Sequence, residues 1–234
     1  MADAMKVVSL FSGIGGIDLG LERAGMQTVG FCERDPFARK VLSKNWPNVP
    51  QHDDVTTMKG DEFGQFDLLC GGPPCQRTSL AAAIHGKRTG ETMWPWMLGI
   101  GERQRPEWLL IEQPPGNKAW EATVADDLAR IGYHHTRFEL SARGVGAPHL
   151  RRRVFFVAHA MRERCEAVAR LSGSSAITTE PWPAPPRGTW RTAGSGNRGM
   201  DDGISTWVDR LRVLGNSVVP QVAEQIGRMI LTAN

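Results

Sequence analysis

The chain is poor in cysteine, and the few it has are not arranged for metal or for cross-linking. The four lie at positions 32, 70, 75 and 165; none forms a CxxC pair, and no His-x3-His pairing accompanies them. That spacing argues against a structural zinc site. An uncharged apolar run approaching the ~18 residues of a membrane span is missing. The opening, MADAMKVVSL, lacks the shape of a signal peptide. Internal repeats are absent as well. These absences lead to the expectation of a cytoplasmic protein whose thiols are reduced and free for chemistry.

What is present fits a folded enzyme-sized unit. The 234 residues suit one domain with a small appendage. Apolar residues make up 41% and charged residues 23%, which excludes a disordered composition. A net charge of +3 permits a polyanionic partner without requiring one.

Short apolar runs alternate with helical patterns. Strands are expected at VVSLF (7–11), VGFCE (29–33), weakly near 49–52, at DLLCG (67–71) and at WLLIE (108–112). Helices are expected near 17–24, from about 36, over WPWMLGIGERQ with Pro95 in its first turn, and near 117–131. HTRFEL and RVFFVAH read as two late strands. Strand and helix in alternation predict a Rossmann-like α/β fold, a parallel sheet with helices on both faces. Ligands of such sheets bind beyond the carboxyl ends of the strands.

The alternation stops after about residue 160. Residues 172–203 hold four prolines within 181–186 and many glycines, and show no period. Their composition fits a flexible linker. Trp182, Trp190, Arg187, Arg191 and Arg198 equally fit an interaction loop. A regular pattern returns with VLGNSVVPQVAEQIGRMIL, a C-terminal helix from about 218. The expected division is therefore 1–160 for the main α/β domain, where ligands would bind, 161–206 for a small irregular region, and 207–234 for a returning segment and helix.

The first strand leads into FSGIGG, with glycines at 13, 15 and 16. Glycines let the backbone turn sharply and approach a ligand closely. The motif is not the dinucleotide GxGxxG, because Asp18 stands where the third glycine belongs. Glu33 ends the second strand, twenty residues after Gly13. A carboxylate there is placed to accept hydrogen bonds from ribose hydroxyls; the plain alternative is a turn acid, solvated or paired with Arg34 or Lys40. Asp53 and Asp54 end the third strand, either as turn residues or as acceptors for an adenine amino group.

The loop GGPPCQRTS (71–79) follows a strand and carries Cys75 between two prolines and a glutamine. A nucleophilic cysteine needs access, rigid aim and a stabilised thiolate. Pro73 and Pro74 fix φ and restrict the backbone that aims the thiol. A buried inert cysteine suits Cys70 inside DLLC better than Cys75. The next strand ends in Glu112, and neighbouring strands of this topology end on the same edge. Glu112 is thus expected across one cleft from Cys75. A carboxyl beside an apolar strand and prolines holds its proton tightly and can donate it; otherwise Glu112 is a solvated strand-end acid. In HLRRRVFF, alternation sends Arg151 and Arg153 to one face and Arg152 to the other. Two guanidinia on one face suit a carboxylate, a base carbonyl or phosphates, or simply a solvated basic edge.

Taken in order, FSGIGG, an acid after strand two, Asp54-Val55, PPCQ, a strand-end Glu, RxR and GNSVVP, the chain resembles the C5-cytosine-specific DNA methyltransferases. The likeness runs from about residue 6 to 160 and again from 211 to 231. It implies a class I methyltransferase fold that uses S-adenosyl-L-methionine, acts on cytosine in DNA, and has residues 161–206 as a minimal target-recognition region, short for this family. A monomer is expected. By resemblance, Phe11, Gly13, Ile14, Gly15 and Gly16 would line the cofactor pocket, Glu33 with Arg34 would take the ribose, and Asp54 and Val55 the adenine. Gly72 and Pro74 would lie near cofactor and base; Asn216, Ser217 and Val218 would close the site. Cys75 would attack cytosine C6, Glu112 would hold N3 and the amino group, and Arg151 or Arg153 would grip O2 and orient Glu112. The base would first leave the duplex.

The chain also departs from the family pattern. Glu112-Gln113-Pro114 stands where Glu-Asn-Val is usual, His149 replaces the glutamine before RxR, and Arg77-Thr78-Ser79 replaces Gly-Phe-Ser. These departures keep other readings open: a nucleic-acid-binding protein on a decayed frame, a tRNA methyltransferase, or transfer of a modified group from a relative of the cofactor. An oxidoreductase on a similar sheet is disfavoured by Asp18 and the PPCQ loop.

Overall fold

The computed structural model describes residues 3–74, 92–147, 149–160 and 217–233. The expectations placed on Cys75, on Asn216 and on residues 161–206 therefore lie outside the described residues.

Seven described strands form one sheet: β1 (Lys6–Leu10), β2 (Gln27–Cys32), β3 (Gln51–His52), β4 (Leu68–Gly71), β5 (Trp108–Gln113), β6 (Tyr133–Ser141) and β7 (Arg152–Ala160). Their order is β3-β2-β1-β4-β5-β7-β6. The helices are α1 (Gly16–Ala24), α2 (Pro36–Asn45), α3 (Trp94–Gln104), α4 (Lys118–Arg130) and α5 (Pro220–Ala233). Strands β4 and β5 are buried along their whole length, which is why they read as unbroken apolar runs. None of the described helices is long and apolar enough to cross a membrane.

One face of the sheet packs Val7, Leu68, Leu110 and Val157 against α1 and α5, through Ile17, Leu21, Val222, Ile226 and Ile230. The other packs Val8, Leu69, Leu109 and Phe156 against α3 and α4, through Met97, Ile100, Val124 and Leu128. Each such side chain contributes roughly 1.5–3 kcal/mol on burial. The C-terminal helix is therefore built into the core of the main sheet. It sits so close to α1 that a Cβ on Gly20 would lie 2.3 Å from the Pro220 carbonyl.

The sheet differs from the all-parallel expectation in one strand. β7 runs antiparallel to both β5 and β6. The link from β6 to β7 holds only a short 3-10 turn at Ala142–Val145, without the crossover helix that a parallel return needs. This reversal has a consequence for the site. The carboxyl ends of β1, β2, β4 and β5 share one edge, and an antiparallel β7 brings its amino end, with Arg152 and Arg153, to that same edge. The strand order also reverses between β1 and β4, which opens a crevice there.

Candidate active site

The crevice is a cleft of about 560 Å³, lined from the carboxyl ends of strands β1 to β5 and from the amino end of β7. Its floor begins at the glycine turn. The turn is closed by Gly15 N donating to the Ser12 carbonyl at 2.9 Å, with Gly13 at φ 56° and Gly15 at φ 81°. Only glycine takes such angles without cost. Phe11 also takes a positive φ, 54°, and so leaves the strand expected to include it. Strain of this kind persists where surrounding structure enforces it.

Glu33 is clamped rather than solvated. Gly13 N donates to Oε2 and Asp35 N to Oε1, each at 2.7 Å. Asp35 in turn caps α2, accepting from Phe37 N and Ala38 N. Carboxylate oxygens held this way keep further lone pairs, and Glu33 lines the cleft. Asp54 caps the 3-10 turn Val55–Thr57 through the amide and hydroxyl of Thr56. Those two bonds, the hydroxyl first, hold its carboxyl below the usual range. Asp53 pairs with Arg39 at 3.6 Å.

The opposite wall comes from the C-terminal segment. Ser217 and Val218 line the cleft and press on Gly16, whose Cβ would lie 2.4 Å from Ser217 Oγ and 2.5 Å from the Val218 carbonyl. The Arg151 side chain donates to the Ser217 carbonyl. Arg151 precedes β7 with φ 27°, outside strand geometry. Arg153 turns to Glu112, while Arg151, whose charge also acts on Glu112, secures the returning segment through Ser217.

Glu112 is buried at the end of β5, with Arg153 Nε 2.6 Å from its Oε1. Burial pushes its carboxyl up to about 7, against the pull of Arg153 and Arg151. Gly72 faces it directly, since a Cβ there would lie 2.6 Å from Glu112 Oε2. The next two residues of that loop, Pro73 and Pro74, also line the cleft, and Cys75 follows them in sequence.

Of the sequence-predicted residues, Phe11, Gly13, Gly16, Glu33, Arg34, Asp54, Val55, Gly72, Pro74, Ser217, Val218, Glu112 and Arg153 come together around this cleft. Ile14 and Gly15 do not. Gly15 turns to Trp46 and Leu42, and Ile17, one helical position into α1, lines the cleft instead. Ser12, Cys32, Met93, Gln113 and Pro114 also line it without having been expected as site residues. Gln113 carried a signal, as a departure from the usual asparagine; Met93 carried none.

The cleft's size lies within the range of cofactor sites. Its carboxylates Glu33, Asp35, Asp53 and Asp54 stand on one side with Arg34, a set of acceptors that suits ribose hydroxyls and a positively charged sulfonium or ammonium. The residues present thus fit S-adenosylmethionine.

Comparison with known proteins agrees with this geometry. Residues 5–189 match the family model described as C-5 cytosine-specific DNA methylase. The type II methyltransferase M2.BsuMI of Bacillus subtilis (strain 168) is 40% identical over 165 residues, covering 66% of this chain and 42% of that protein. The type II methyltransferase M.NgoPII of Neisseria gonorrhoeae is 32% identical over 162 residues, covering 65% and 47%. The chain thus spans less than half the length of either relative. In fold it is similar to the S. pombe Dnmt2 methyltransferase, with a TM-score of 0.54 at 22% identity over 75% of this chain and 57% of that one. Since the family model takes in well over half of the residues, glycine turn, clamped Glu33 and buried Glu112 included, the chain belongs to the C-5 cytosine-specific DNA methylase family.

Proposed function

We propose that the chain transfers a methyl group from S-adenosylmethionine to C5 of cytosine in DNA. The observation that carries this reading is Glu112: a buried carboxyl whose proton affinity is raised to about 7, set against Gly72 in the loop that leads to Cys75. A solvated strand-end acid would have neither property.

Phe11, Gly13, Gly16, Glu33, Asp54, Val55, Ser217 and Val218 would hold the cofactor, which when bound supplies a methyl group made electrophilic by its sulfonium. The chain's own residues do the rest. The Cys75 thiolate adds to C6 of a cytosine turned out of the duplex, which breaks aromaticity and makes C5 a nucleophile. Protonated Glu112 donates to N3 and stabilises the charge that develops in the ring. Arg153 keeps Glu112 aimed. Once C5 is alkylated, water takes up its proton, expulsion of the thiolate restores the ring and frees Cys75, and N3 returns its proton to Glu112. Residues 161–206 would contact the target, and basic side chains would hold the phosphates.

The test is trapping on DNA carrying 5-fluorocytosine, where fluorine replaces the C5 proton and cannot leave as a cation. With cofactor present, wild type should form a covalent adduct that Cys75→Ser does not. No adduct across varied DNA sequences, together with unmodified cytosine in the DNA of a host expressing the chain, would overturn the proposal.

A further inference from the structure

Two prolines carry the loop at the end of β4, and neither has an N–H to donate. Their carbonyls are the main-chain groups left by which neighbours can hold them. Both are held, from two different elements. The Gln113 side-chain amide donates to the Pro73 carbonyl. Met93 N, at the entrance to α3, donates to the Pro74 carbonyl at 3.0 Å. Met93 is itself fixed, because the residues flanking it are tied to α4: Trp94 Nε1 donates to Asp127 at 2.9 Å and Trp120 Nε1 to Thr92 at 3.2 Å.

Gln113 is buried, and so is Pro73. A primary amide inside a run that otherwise reads WLLI costs free energy unless it is paired. Its pairing answers a need of the loop, since an apolar side chain there would leave the Pro73 carbonyl without this donor. The peptide joining Pro74 to Cys75 is planar. Fixing the carbonyls of Pro73 and Pro74 therefore fixes the plane from which Cys75 departs. Gln113 also adjoins Glu112 on β5, opposite Val154 of β7. One two-residue step of β5 thus sets both the carboxyl and the stem of the cysteine loop.

We infer that Gln113 is a positioning residue, whose amide holds the Pro73–Pro74 stem at the height that lets Cys75 and Glu112 act on the same ring. This rests on the reading under Proposed function. Gln113 lines the cleft, but in this role it acts through the loop, by its bond to the Pro73 carbonyl.

Two variants of the full chain test it. Gln113→Met keeps the length of the side chain and loses the donor. Gln113→Glu keeps its shape and donates only when protonated. Three quantities are read: the rate of adduct formation on 5-fluorocytosine DNA, the affinity for cofactor, and the thermal midpoint. Displacing a reacting group by an ångström costs about 10²-fold in rate. Gln113→Met should therefore slow the adduct by about that factor, a larger loss than any in cofactor affinity. Gln113→Glu should be equally slow at pH 8 and recover relative to wild type as pH falls, because the protonated carboxyl again donates to Pro73. A purely structural glutamine would lower the midpoint without that pH-dependent recovery. Wild-type rates in both variants, or a loss in Gln113→Glu that is the same at every pH, would overturn the inference while leaving the proposed function standing. If Gln113→Met does not fold, the pH profile of Gln113→Glu decides. Failure of wild type to form any adduct would remove the proposed function, and this inference with it.

Discussion

Arg153 and Glu112 meet across the β5–β7 pair, Nε to Oε1 at 2.6 Å. The arginine favours the carboxylate, but its pull is smaller than the cost of burial. Burial wins, and Glu112 sits at about 7 instead of its ordinary 4.5. A group poised there can be charged in one step and a proton donor in the next.

The first prediction concerns pH. The protonated fraction of Glu112 falls as pH rises through about 7. If the protonated form donates to the base, kcat should decline above that value along a one-proton limb. Glu112→Gln should lack this limb and run on the order of 10²–10⁴ slower at its best pH. A steady-state kcat profile from pH 5.5 to 9 checks both; a limb unchanged in Glu112→Gln would assign it to another group.

Arg153→Met should move that limb upward. Removing the largest influence that opposes burial raises the proton affinity of Glu112 further. The variant also leaves a buried carboxylate unpaired, which costs about 3–5 kcal/mol when the group is charged. The sign follows from proton uptake: the native state binds the proton more tightly than the unfolded chain, so this stability is lost as pH rises. Urea unfolding should therefore show a deficit that is larger at pH 8 than at pH 5.5. A deficit independent of pH would mean that Glu112 is not its source.

How much of this was open to sequence alone divides along physical lines. Glu33 and the glycine turn were legible because each marks a strand end, and strand ends follow from apolar runs. Glu112 was legible for the same reason. The bond from Arg151 to the Ser217 carbonyl was not, because it joins residues 66 apart in sequence. The direction of β7 was not either; an apolar run carries no sense of direction, and only the short link before it hints at reversal. Ile17 displaced Ile14 because the helix begins at Gly16 and turns its first side chains by helical, not linear, spacing. The partnership of Gln113 with Pro73 spans forty residues and becomes visible only once β4 and β5 lie side by side.

Asp18 offers a second titration, remote in role from the first. It is wholly buried in the first turn of α1. Burial raises it from 3.8 to about 7, with the Ser9 side chain opposing. Between those values the native state holds a proton that the unfolded chain has released. Stability therefore falls as pH rises through that window. Asp18→Asn mimics the protonated form at all pH. Its unfolding midpoint should exceed wild type at pH 8 and approach it at pH 5. An advantage of equal size at both would sink the assignment.

The last prediction separates two glycines on α1 that share a neighbour. A Cβ on Gly20 would lie 2.3 Å from the Pro220 carbonyl and 2.6 Å from Ala223 Cβ; one on Gly16 would meet Ser217 Oγ and the Val218 carbonyl. In both cases the obstacle includes backbone, which cannot rotate aside, so alanine forces α5 or its leading segment away from α1. Overpacking of this kind costs about 1–3 kcal/mol, and both variants should lose that much in urea unfolding. Only Gly16 presses on residues that line the cleft. Gly16→Ala should therefore also weaken binding of S-adenosylhomocysteine, by about tenfold if ~1.4 kcal/mol of the displacement falls on the site, while Gly20→Ala should bind as wild type does. Calorimetric titration decides between them. Equal losses of affinity in the two variants would mean that the C-terminal helix supports the cleft as a whole, and that Ser217 and Val218 have no particular part in it.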